Sequence, residues 1–279
     1  MPMILGMLSR LARVRITLSY AAALVAVSTT LVLLGPRVQH QVILHVSTNL
    51  HNLARGKIGT LFGSAFVIDA APMYIWLPGL VCLLALAELH WRSGRLTLAF
   101  LLGHVGATLV VAAGLVAAIE FGWLPLSISR ASDVGVSYGA VAVLGALTTA
   151  IPRRWRPVWM GWWLAVAVSS AALGAEFTDA GHTVALLIGL ALATRFGRPA
   201  HWTPVRYALL AVGAAFGFLL LAHTAVTALT GLALGTLSGV AAHTIVRWRL
   251  TRKPLETSAL AAEEPVAQEL SRVPRSSPA

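Results

Sequence analysis

Two short segments carry the residue types that do acyl-transfer chemistry. Gly135-Val136-Ser137-Tyr138-Gly139 holds a serine, and Asp179-Ala180-Gly181-His182 holds a histidine. A serine hydroxyl is a weak nucleophile until a base within hydrogen-bond reach takes its proton, and histidine is the usual base. Gly-x-Ser-x-Gly alone is a weak signal. Glycine and serine abound here, and the strand–turn–helix setting of a nucleophile elbow is missing. The pair gains meaning only if the scaffold brings both residues to one level.

That scaffold is a membrane one. Of 279 residues, 57% are hydrophobic and only 11% are charged, with a mean hydropathy of +0.78. A soluble domain carries about a quarter charged residues, so much of this surface must face hydrocarbon. A spanning helix needs about 20 apolar residues. Eight stretches qualify: Ile16–Leu34, Met73–Leu89, Leu96–Ala118, Val134–Ile151, Val158–Ala175, Gly181–Thr194, Tyr207–Ala222 and Ala225–Val246. The last two are divided at His223-Thr224, because the apolar run there is twice as long as one span needs.

The charges agree with this count. With the N-terminus inside, the cytoplasmic segments hold 17 of the 21 Lys and Arg residues, and the opposite side holds only Arg37, Arg55, Lys57 and Arg130. That bias fixes orientation and puts both ends in the cytoplasm. It also accounts for the net charge of +11. The basic residues sit in short runs between spans, with no basic-aromatic groove, so nucleic-acid binding is not expected.

Segments outside the spans follow. Residues 1–15 read as a cytoplasmic N-terminus, and the first span as an uncleaved anchor, since no small-x-small cleavage site precedes Gly35-Pro36. In the long outer loop, Gly35 to Pro72, Val38, Val42, Ile43, Val46, Leu50 and Leu53 recur at helical spacing, which suits a helix lying in the interface. Residues 251–279, rich in Ala, Glu, Pro and Ser, are expected to be disordered. Cys82 is the single cysteine and reads as a small hydrophobe. No Cys/His spacing resembles a zinc site, and no cofactor is expected.

Ionisable residues near or inside spans often mark function. These are Glu88, His104, Glu120, Asp133, Asp179, His182, His223 and His243. His104 is the deepest and reads as an interhelical hydrogen-bonder. Glu88, beside Arg92 and Arg95, reads as half of a structural ion pair. Ser137 and His182 pass a depth test. Both helices run from outside to inside, with Ser137 16 residues before Arg153 and His182 13 before Arg195. At about 1.5 Å per residue their depths differ by about 4–5 Å. Gly181, Ala185, Gly189 and Ala193 form a small-residue stripe on the sixth span, and Gly135 with Gly139 a pair on the fourth. Such stripes let helices approach closely.

These residues resemble the rhomboid family of intramembrane serine proteases, in a bacterial form. The family places its nucleophile in Gly-x-Ser-Gly at the start of the fourth helix, and its base in Ala-His-x-x-Gly near the start of the sixth. This chain is similar at Gly135-Val136-Ser137, with Gly145 eight residues on, and at Gly181-His182, with Gly189 seven residues on. Glu88 before Arg92-Ser93-Gly94-Arg95, the long loop after the first helix and the short fourth helix also match. The resemblance covers roughly residues 16–195. Departures are visible too. Tyr138 replaces the glycine after the serine and crowds the oxyanion site beside Gly135. Pro72 and Trp76 stand where the family carries its oxyanion-stabilising His and Asn. The loop lacks the family's Trp-Arg pair. Substitute donors could come from Asn49, His51 or Asn52.

The expectation is an all-α polytopic membrane protein. A rhomboid-like six-helix core over 16–195 is followed by an additional transmembrane hairpin over 196–250, about eight spans in all, in a cell inner (plasma) membrane. The resemblance implies a Ser137–His182 dyad cutting a single-span membrane protein. The alternative is a catalytically inactive rhomboid-like protein that binds transmembrane segments of partners. A transporter ranks third, because no internal repeat is visible.

Overall fold

The computed structural model describes the backbone of residues 11–68, 73–174, 176–197 and 202–271, and side chains as far as Arg249, Met73 excepted. The described chain is all-helical, without a strand. Helix α1 (Arg15–Leu34) enters first. Three short helices follow in the long loop: α2 (Pro36–Val46), α3 (Leu50–Ala54) and α4 (Thr60–Gly63). Val42, Ile43 and Val46 of α2 pack with Val27, Leu31, Val67 and Val134. The spacing that suggested one interface helix is thus divided at Ser47–Asn49, and α2 has a core of its own.

Helix α5 (Met73–Glu120) is broken at Arg92, whose φ of 68° and ψ of 164° are not helical. Leu84 and Phe100 line one cavity on opposite sides of that break. A straight helix would hold them about 24 Å apart, so the two arms double back as separate passes. Glu88 sits at this reversal. Its carboxylate accepts from the backbone N–H groups of Ile16 and Thr17 (3.1 and 2.9 Å), from Thr17 Oγ1 (2.8 Å) and from Ser93 Oγ (2.7 Å). The expected ion pair with Arg92 and Arg95 is therefore corrected. Glu88 caps the N-terminus of α1, where a negative charge meets unpaired N–H groups and the helix dipole. Arg95 instead donates to Phe196 O at 2.8 Å.

Helix α6 (Ser137–Ala146) is short and central, with every residue from Tyr138 to Ala146 buried. Arg156 donates to the carbonyls of Thr149 and Ile151 beyond its C-terminal end, as basic side chains do where carbonyls are orphaned. Helices α7 (Arg156–Leu173) and α8 (Phe177–Ala193) follow.

Helix α9 (Pro204–Leu221) packs on α5, and α10 (Ala225–Ser271) packs on α7; the two scarcely touch each other. They were expected as a hairpin, yet each is fastened to a different core helix. Small residues explain the attachment. A Cβ at Gly213 would lie 3.0 Å from Leu83 Cα, and one at Gly217 2.6 Å from Leu144 Cδ2. The backbone stays helical to Ser271, where a disordered tail was expected, and residues 272–279 lie outside the described ones. Among the described residues four helices are long and apolar enough to cross a membrane, one of them the 47-residue stretch Tyr74–Glu120 of α5; Ser137–Thr149 and Phe177–Ala193 are shorter apolar helices.

Candidate active site

Ser137 is the first residue of α6 and is half-buried. Gly135, two residues earlier, turns the chain with φ +125°, a conformation that disfavours any side chain. Its N–H donates to Ser64 O at 2.9 Å, which ties the turn to the long loop and commits that donor. Within α6, Ala140 N–H reaches Val136 O at 3.0 Å. The N–H groups of Ser137, Tyr138 and Gly139 precede it, in the turn that has no intrahelical partner.

His182 lies in the second turn of α8, 8% exposed, and neither ring nitrogen has a hydrogen-bond partner. Among the described residues no hydrogen bond joins it to Ser137. Its ring instead meets Tyr138 edge-on, with centroids 5.3 Å apart. The α6 residue that meets His182 is thus Tyr138, next along from the serine.

The seam between α6 and α8 uses the expected glycines of α8, but a different one on α6. Gly145 faces Leu186 O, which a Cβ would approach to 2.6 Å, and Gly189 lies directly on Ala142 O. Gly181 makes room for the Tyr138 ring, so the bulky residue after the serine has a matching space. Gly139, by contrast, faces Phe100 of α5. The Gly135–Gly139 pair does not form this seam, since Gly135 precedes the helix and Gly139 points to another neighbour.

Asn49 accepts from Asn52 N–H at 2.9 Å and so caps α3. Asn52 Nδ2 donates to Leu44 O and Ser47 O, and its Oδ1 accepts from Lys57 Nζ at 3.2 Å. The Asn52 amide is thus occupied at both ends within the loop, and the Asn49 oxygen by its cap. His51 lies on the same loop, held below the usual histidine range chiefly by the Arg55 guanidinium, with lesser effects of burial, Arg130 and Lys57. Trp76 stacks on Phe216 of α9, and Pro72 lies outside the described residues.

Sequence reasoning left three features unconnected. The carboxylate of Asp179, fully buried, has His223 Nδ1 3.6 Å away. Ser64 Oγ lies 3.1 Å from His104 Nε2, fastening the loop to α5. A cavity of about 540 Å³ brings Ser137 together with residues of α5 and α9. The Gly213-x-x-x-Gly217 spacing was the available signal for that last contact. Among the described residues no group of three or more His, Cys, Asp or Glu could hold a metal ion.

Comparison with known proteins decides the family. A family profile described as "rhomboid-like protein" matches residues 12–198, more than half of the chain. The chain belongs to the rhomboid-like family. With its apolar helices it is a multi-pass membrane protein. No curated protein and no solved structure matches it. The match takes in Ser137, His182, Glu88 and the long loop of this rhomboid-like chain, and stops just before α9.

Proposed function

We propose that this rhomboid-like protein is an intramembrane serine endopeptidase of an inner (plasma) membrane, with both ends cytoplasmic and its site toward the outer face. The observation that carries the reading is the position of Ser137. It starts a buried helix at the wall of a cavity, with an unpartnered buried histidine on the adjoining helix. His182 takes the Ser137 proton as Oγ bonds to the scissile carbonyl carbon. It then returns that proton to the departing amine, and water releases the acyl group. The unpaired N–H groups opening α6 supply oxyanion donors, aided by the helix dipole. They replace the absent His/Asn pair, which Asn52 cannot do while both ends of its amide are bonded within the loop.

One observation favours a second reading, a non-catalytic member that holds transmembrane segments of partners in the same groove. Tyr138 packs on His182, and no hydrogen bond joins His182 to Ser137. Treatment of the full-length protein with a fluorophosphonate separates the two. Labelling at Ser137 that disappears in Ser137→Ala and His182→Ala supports the protease. Absence of labelling in the wild type defeats it and leaves the binding role.

A further inference from the structure

We propose that Phe216, on the appended helix α9, sets the size of the substrate side chain accepted beside Ser137, and that the cavity takes a bulky apolar residue next to the scissile carbonyl. The proposal rests on the protease reading above. The cavity measures about 540 Å³, inside the range of about 300–1,000 Å³ typical of small-ligand pockets. Among the described residues Ser137 contributes the only hydroxyl to its lining. Ile75, Trp76 and Gly79 of α5 form one wall, and Phe216, Leu219 and Leu220 of α9 another. That second wall lies beyond residue 198, where the family match ends, so it belongs to this chain's own addition to the rhomboid-like core.

Phe216 is the fixed member of the wall. It is 4% exposed, and its ring stacks on Trp76 with centroids 6.1 Å apart and planes 17° apart. Gly79, one turn along α5 from Trp76, brings the α5 backbone up to the same side chain, since a Cβ there would come within 2.5 Å of Phe216 Cβ. Packed so closely on α5 and almost wholly buried, the ring has little room to swing and enlarge the cavity. Leu219, 66% exposed, lines the same cavity and tolerates change. Among the described residues the lining is apolar apart from the serine hydroxyl and the Trp76 indole, so none of them offers a partner to a charged side chain, whose entry would be costly.

The test compares two fluorophosphonates on the full-length protein in detergent, one with an ethyl group on phosphorus and one with a branched six-carbon group. In each case the Ser137 Oγ–P bond forms, the P–F bond breaks, fluoride leaves and the serine proton passes to His182. Phe216→Ala is expected to raise the bulky-to-small labelling ratio about tenfold or more, and Leu219→Trp to lower it by a similar factor, in line with the discrimination apolar pockets achieve. A structural effect would move both probes together. Equal change for both probes overturns the proposal and leaves the serine nucleophile standing. Should Phe216→Ala lose both labels, Leu219→Trp decides, and an unchanged ratio there overturns it. No labelling of wild-type Ser137 by either probe overturns this proposal and the protease reading together.

Discussion

Two buried polar clusters lie within this molecule, and they are built on opposite terms. In the long loop, Thr48 Oγ1 lies 2.8 Å from Thr60 O and 3.0 Å from Ser64 Oγ, Ser64 reaches His104, and Asn52 uses both ends of its amide. Across the α6–α8 seam, Tyr138 Oη, both oxygens of Asp179 and both nitrogens of His182 are buried without a hydrogen bond, as is the nearby Ser170 Oγ on α7. Buried polar groups are ordinarily paired, and unpaired ones call for an explanation such as a catalytic role. The first cluster holds the loop against the core. The second keeps its polar atoms available, which is what a base awaiting a proton requires. Both are fastened to the Ser137 turn, through Gly135 N–H in one case and through Tyr138 in the other.

The largest expected effect falls on the backbone contact beneath the second cluster. Gly145→Val drives a side chain into Leu186 O and is expected to cost about 3 kcal/mol or more, seen as a lower midpoint in thermal unfolding in detergent. The clusters themselves should then separate. His104→Leu removes one of the two hydrogen bonds of Ser64 Oγ, leaving it with Thr48, and is expected to cost about 1 kcal/mol, whereas His182→Leu breaks no hydrogen bond and should leave stability at or above that of wild type. Equal losses in the two variants would erase the distinction drawn between the clusters.

Much of this was legible beforehand, for identifiable reasons. Long apolar runs revealed a multi-pass, all-helical membrane protein, because bilayer thickness imposes a length that sequence displays directly. Counting residues from the arginines gave Ser137 and His182 similar depths, while their helices were expected to adjoin from the small-residue stripes and the family resemblance. The rotation of each helix was not legible. Gly139 turned out to face Phe100 while Gly145 makes the seam, since small residues occur on several faces of α6 and spacing alone does not select one. The partners of α9 and α10 were missed because adjacency in sequence suggested a hairpin, whereas Gly213 and Gly217 bind α9 to the core. Glu88 was misassigned because its partners are uncharged, two backbone N–H groups 71 and 72 residues away and the hydroxyls of Thr17 and Ser93, which no charge count reveals.

Smaller effects sharpen the same contrast. Tyr138→Phe removes an unpartnered hydroxyl and should be neutral or stabilising by about 1 kcal/mol, measured by the same unfolding assay. Asp133, in the segment before α6, belongs to the loop cluster: its N–H donates to Ser47 Oγ at 2.8 Å and its carbonyl accepts from Thr48 N–H. Burial pushes its carboxyl up to about 7. Between the unfolded value of about 4 and that folded value, the folded protein keeps a proton that the unfolded chain releases. Stability contributed by this group is therefore full below about pH 4 and declines as pH rises toward about 7. Asp133→Asn should flatten that part of the stability–pH profile; an unchanged slope would remove Asp133 from the account.

The most direct test of the central claim is cleavage in proteoliposomes. Full-length wild type, Ser137→Ala and His182→Ala are each reconstituted with a panel of single-span membrane proteins carrying bulky apolar residues near the outer face. The account predicts discrete fragments from the wild type, cut within or beside the span, and none from either variant. Fragments that persist in Ser137→Ala, or a wild type that cuts nothing in the panel, would contradict it.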